Sequence, residues 1–234
     1  MINNTVERSP NFYARIAGVL YLLLITFNSF DVVYVLYRII VPGDAAATAS
    51  NIMASESLFR MGLVSHLFGV LCLFSVTLPL YLLFKPVNKG LATLMALFVW
   101  VSIPILTLNM FNHFIALPLL SGADYLTAFT ADQLYAQVML HLNLYDIGYH
   151  VAQMFFSLYF LSLGYLVYKS GYFPRFLGVF LMLGGFAYLI DFFIFFLLPS
   201  YEGVILSVLE VFGLSEITFG IWLVVKGVRV KVQS

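Results

Sequence analysis

Apolar residues in this chain gather into six long runs, at about 14–40, 58–84, 91–118, 139–168, 175–198 and 203–226. Each reaches or exceeds the roughly 20 residues that a helix needs to cross the hydrocarbon core of a bilayer. The short stretches between them carry turn chemistry: "VPGD" (41–44), "KPVNKG" (85–90) and "YKSGYFPRF" (168–176), where a glycine stops one helix and a proline suits the start of the next. The pattern predicts an all-α, polytopic membrane protein, a six-transmembrane-helix bundle forming one integral membrane domain over 1–234. The longest connection, about 119–138, ends in Thr130 and Gln133, which have capping-box spacing. A helix from 131 to 168 would be about 57 Å long, too long for one straight crossing, so a break or an interfacial segment is expected there.

Composition agrees: 62% of residues are hydrophobic and 9% charged, outside the range of a water-soluble domain. The loops are too short to hold a soluble catalytic domain. Formal net charge is zero, but nine of the eleven basic residues flank the same ends of the runs: Arg8, Arg15, Lys85, Lys89, Lys169, Arg175, Lys226, Arg229 and Lys231. The positive-inside rule assigns that face, and with it both termini, to the cytoplasm. These cations stand singly at helix ends, a distribution that excludes a nucleic-acid-binding stripe. "DAAATASN" offers small residues for signal cleavage, but the apolar stretch before it, about 25 residues, exceeds the 7–15 of a signal core. The single cysteine, Cys72, lies mid-span and is read as a small packing residue.

"YLLFK" (81–85) and "YLVYK" (165–169) occupy equivalent inner ends of the second and fourth runs, with His66 and His150 at the same distance before each lysine. Duplication and coincidence both account for so short a match. "KPVNKGLA", "LGYLVYKSGYFPRFLG" and "IWLVVKGV", with Glu216 shortly before the last, resemble a bacterial family of six-span integral membrane proteins known only as a domain of unknown function. The resemblance covers nearly the whole chain and implies a bacterial cytoplasmic (inner) membrane protein. It brings no activity and no site residues with it.

Candidate chemistry therefore comes from the polar groups inside the runs. With the inner-face cations as a ruler at 1.5 Å per residue, His66 and His150 stand about 28 Å above Lys85 and Lys169. Asp31, Asp191 and Glu210 stand about 24 Å above their own cations, Asn109 about 30 Å, and His113 and Asp146 about a turn higher. Glu216, about 15 Å up, is nearest the midplane. Apolar residues continue outward past Asp31, His113 and Asp191, so these positions are interior to their runs. An acid at the centre of a lipid-facing helix costs about 2.5–3.5 kcal/mol on insertion scales, so Asp31, Asp146, Asp191 and Glu210 are expected to face the bundle. Asn143, Asp146, His150, Gln153 and Ser157 recur at three- and four-residue steps as one stripe. Ser102, Asn109 and His113 share a face, with Asn112 beside it, and so do Asn28, Asp31 and Arg38; His141 falls off its stripe and reads as interfacial.

These groups are expected to line one outward-facing acidic and histidine-lined pocket built by all six spans, with Asp31, Asn109, Asp146, His150, Gln153, Asp191, Glu210 and Glu216 as candidate ligand-binding residues. Acid-rich, partly desolvated surroundings favour cations, protons or amine-bearing molecules, which points to a binding protein or a proton-coupled transporter. Titration in that case falls to Asp191, Glu210 and Glu216. A second reading takes His66, His113, Asp146 and His150 as ligands of a zinc or other divalent metal, activating water against a lipid-like substrate, although no HExxH or CxxC motif supports it. Haem held by two histidines is a weaker variant. A third reading makes the polar groups a network that only specifies packing or binds a membrane partner: Asp146 and His150 bonded to each other at i and i+4, asparagines bonding between helices, Asp31 paired with Arg38 or each a separate anchor. Tyrosine and phenylalanine are read as lipid-facing or belt residues.

Overall fold

A computed structural model describes residues 9–229, leaving aside the side chains of 201–213. Among the described residues the chain is helical and contains no strand. The helices are α1 (Pro10–Ile39), α2 (Ala45–Ala54), α3 (Glu56–Phe84), α4 (Lys89–Leu119), α5 (Ala131–Ser170), α6 (Arg175–Leu197) and α7 (Glu202–Val225). Five of them, α1, α3, α4, α5 and α6, are long and apolar enough to cross a membrane. Six spans are expected from the sequence; the sixth, α7, has 24 residues, but half of its side chains lie outside the description and only Leu214–Val225 registers as an apolar helix.

The helices carry large apolar side chains on their outer faces. Leu67, Phe68, Leu71, Phe74 and Leu78 are exposed on α3, Val101, Leu108 and Phe111 on α4, and Phe186, Ile190 and Phe193 on α6. Patches of this extent are rare on monomeric soluble proteins, and a lipid bilayer is the solvent that suits them.

Local chemistry sets the helix ends. Gly43 turns the chain with φ at +79°, and the Asp44 carboxylate caps α2 by accepting from the Ala47 N–H at 2.8 Å. The capping box forms as the sequence predicts: Thr130 N–H donates to Gln133 Oε1 at 2.9 Å, and Gln133 N–H to Thr130 Oγ1 at 3.3 Å. The expected break in the helix that follows is absent. With its start capped and no proline between 131 and 170, α5 continues unbroken for 40 residues. Irregularity falls in α1 instead, where Phe30–Leu36 is wound as a π-helix.

The helices divide into two compact units, each gathered from separate parts of the chain. The first comprises Leu24–Leu71 and Val101–Gln153. Its apolar core includes Val35, Ile52, Phe59, Leu63, Val138 and Leu142. The second comprises Met1–Leu23, Cys72–Trp100 and Met154–Ser234. Tyr21, Phe84, Tyr159, Leu163, Leu177 and Phe219 are among its large, fully buried side chains. Within it α5 and α6 meet backbone to backbone. A Cβ on Gly164 would lie 2.7 Å from the Gly178 carbonyl oxygen, and one on Gly178 would lie 2.6 Å from that of Gly164. Small residues permit such approach between apolar helices.

Candidate functional site

In the first unit, α1 lies against a glycine face of α3. Gly62 and Gly69, two turns apart, stand beneath polar side chains of α1. A Cβ on Gly62 would fall 2.7 Å from Asp31 Oδ1 and 3.0 Å from Val35 Cγ1, and one on Gly69 would collide with Asn28 Oδ1. Ser65, between them, donates to the Phe27 carbonyl at 2.9 Å. The π-helical turn that contains Asp31 admits an extra residue, which changes the direction in which the following side chains point. Asp31 is left wholly inaccessible to solvent.

A buried carboxylate requires a partner, and the partner is His66 of α3. Its Nδ1 lies 2.9 Å from Asp31 Oδ2. The Tyr145 hydroxyl of α5 stands 3.3 Å from the same nitrogen. With Nδ1–H donating to the carboxylate, Nε2 is left as the acceptor atom of the neutral ring. This differs from an Asp–His–nucleophile relay, in which the hydroxyl sits at the far nitrogen. Carboxylate and phenol here converge on the same one.

His113 of α4 completes the cluster. It is fully buried, edge-on to Phe59 with ring centroids 4.8 Å apart and tilted against Tyr145 at 4.9 Å. Neither ring nitrogen of His113 has a hydrogen-bond partner among the described residues, and neither does Asp31 Oδ1. Three buried polar atoms in one cluster are thus left open, where buried polar groups are as a rule satisfied.

A hydrogen-bonded chain runs alongside. His141 Nδ1 lies 3.0 Å from Asn112 Oδ1, Asn112 Nδ2 donates to Asn109 Oδ1 at 3.2 Å, and Asn109 Nδ2 donates to the Tyr145 carbonyl at 2.7 Å. Asn109 covers Gly148, whose Cβ, if present, would collide with the asparagine amide. The two asparagines therefore join α4 to α5. His141 belongs to this chain, not to an isolated interfacial position.

The remaining sequence candidates are placed differently. Asp146 is 57% exposed, so the expectation that every membrane acid turns inward fails here. Its Oδ1 is 3.7 Å from His150 Nδ1, which lies 2.9 Å from the Asp146 backbone carbonyl. The stripe of α5 is buried at His150, Gln153 and Ser157 but exposed at Asn143 and Asp146. Arg38 is exposed and lies over the Tyr34 ring at 4.0 Å, so Asp31 pairs with a histidine and not with this arginine. Asp191 is buried in the second unit, and Glu216, also there, accepts from the Tyr188 hydroxyl at 2.5 Å. The Glu210 side chain lies outside the described residues. No group of three or more His, Cys, Asp or Glu side chains with metal-binding proximity occurs among the described residues, and His66, His113, Asp146 and His150 form none.

Tyr145 is the residue that sequence reasoning missed. Assigning tyrosines to the lipid belt hid it, although it lies a turn before Tyr149 and beside Asp146 in the most polar part of α5. The signal was available in its spacing: eight residues before Gln153, it falls near the buried edge of the stripe.

Comparisons with known proteins place the chain without adding an activity. An uncharacterized protein from the archaeon Archaeoglobus fulgidus is 31% identical over 153 residues, which cover 65% of this chain and 75% of that protein. No solved structure matches. The profile of a domain of unknown function, DUF4386, matches residues 16–227, nearly the whole described helical region. This protein belongs to the DUF4386 family.

Proposed function

We propose that the first unit binds a small cation or amine-bearing molecule at Asp31, His66, His113 and Tyr145, and that the protein carries it across the membrane in exchange with protons. The observation that supports this is the set of unpartnered atoms around the buried carboxylate. An ammonium group would donate to Asp31 Oδ1 and to the acceptor nitrogen of His113, with the electron-rich faces of Tyr145 and Phe59 nearby. The other His113 nitrogen, a donor, would take an oxygen of the ligand or of a water that accompanies it.

The one-sided distribution of basic residues supports a cytoplasmic-membrane location with both termini inside and the site opening outward. Proteoliposome uptake tests the proposal. Radiolabelled methylammonium should accumulate when a proton gradient is imposed, and the Asp31→Asn protein should not accumulate it. Uptake equal to that of protein-free vesicles under every gradient would rule transport out.

A further inference from the structure

The second unit holds a polar cluster of its own. Glu216 of α7 is part-buried and accepts from Tyr188 of α6 at 2.5 Å, the short end of the range for a hydroxyl on a carboxylate. Tyr159 of α5 donates to Tyr21 of α1 at 3.3 Å, and both rings are buried. Tyr159 and Tyr188 each pack against Phe160, while Tyr21 sits edge-on to Phe219, one turn from Glu216 on α7. Phe160 and Phe219 thus tie the two tyrosines to the Glu216–Tyr188 pair, so the carboxyl and the three phenols form one neighbourhood. Two further hydroxyls, Ser157 and Ser215, are buried without a hydrogen-bond partner among the described residues. Ser215 is Glu216's chain neighbour, and the Ser157 backbone borders Gly185, one turn from Tyr188 on α6.

We infer that Glu216 is a proton-exchanging carboxyl, a second site confined to this unit, with Tyr188 as the residue that holds its anion. The groups facing it are phenols: Tyr21 from α1, Tyr159 from α5 and Tyr188 from α6. Asp191 lies a turn beyond Tyr188 on α6. No lysine, arginine or histidine forms an ion pair with the carboxyl among the described residues. A neutral carboxyl suits these apolar surroundings, whereas the donated Tyr188 hydrogen bond suits the anion. Each protonation state thus has structural support. The proton leaves the carboxyl O–H for water, the electron pair stays on the carboxylate, and Tyr188 O–H stabilises it until a proton returns. The unpartnered serine hydroxyls are suited to a water that would receive it.

This inference stands whether or not Asp31 binds an amine, and its test reads a different residue. Dicyclohexylcarbodiimide attacks protonated carboxyls in apolar settings, and peptide mapping by mass spectrometry identifies which has reacted. In purified wild-type protein in nanodiscs, Glu216 should be labelled, and labelling should fall several-fold as pH is raised from acid to alkaline. Replacing choline chloride by sodium chloride should leave it unchanged. Tyr188→Phe should move the pH at which labelling falls, and Asp31→Asn should not. Absence of the Glu216 adduct at every pH, or a Tyr188→Phe profile identical to wild type, would overturn the inference. Protection by sodium would do so too, by giving the site to a metal cation.

Discussion

Replacing His66 with alanine removes the imidazole that hydrogen-bonds Asp31 and leaves its carboxylate in a fully buried position with no such partner among the described residues. Breaking a buried pair from one side costs about 3–5 kcal/mol, because the remaining charge keeps its desolvation penalty and loses its compensation. Asp31 has little in reserve, since Oδ1 is already without a hydrogen-bond partner among the described residues. The loss is a large share of the roughly 5–15 kcal/mol that holds a domain folded. Asp31→Asn behaves differently. The amide keeps an oxygen for His66 Nδ1 and puts NH2 where the open oxygen was, exchanging a charge-assisted hydrogen bond for a neutral one at a cost of about 1 kcal/mol. Removing a buried charge offsets part of that cost. In the double variant no charge is stranded, so it should be more stable than His66→Ala alone by about 2 kcal/mol. Reversible unfolding in mixed micelles, followed by helical circular dichroism, measures all three. A His66→Ala cost below about 1 kcal/mol, or an Asp31→Asn cost equal to it, would refute the buried carboxylate–imidazole pair.

Two further substitutions probe the surroundings. Gly62→Ala sets a methyl group 2.7 Å from Asp31 Oδ1 and 3.0 Å from Val35, so it should destabilise by about 1–3 kcal/mol and weaken methylammonium binding; unchanged binding at full stability would mean that α1 and α3 are not closely packed. Thr130→Ala removes the cap of α5 and should cost about 1 kcal/mol, with faster amide exchange confined to the first turns after Ala131 and no effect on binding. Exchange unchanged there would remove the capping box as the reason the long helix starts where it does.

The apolar runs made the helices legible because in lipid the hydrophobic length of a segment dictates its structure. Observed boundaries accordingly fall close to the expected ones, α5 excepted. There the argument from membrane thickness predicted a break or an interfacial segment; a capped start and an uninterrupted sequence let the helix continue without a break. That Asp31, His66 and His113 stand at similar levels was readable, since one dimension along each helix suffices to order them. Azimuth was less so. Stripe periodicity correctly turned His150 and Gln153 inward but also enrolled Asp146, which is exposed, since periodicity says which residues share a face and not how far along that face a neighbour covers it. Pairing across helices was beyond the sequence altogether. Asp31 is joined to a residue 35 positions away, and Tyr145 to one 79 away, through a π-helical turn that no local signal announced.

Equilibrium dialysis of radiolabelled methylammonium against the purified protein in nanodiscs tests the central claim most directly. Wild type and the exposed control Glu56→Gln should bind it saturably and alike. Asp31→Asn, folded and of near wild-type stability, should bind at least about tenfold more weakly. Binding by Asp31→Asn indistinguishable from wild type, or no binding by any of the three, would contradict a cation site at this carboxylate.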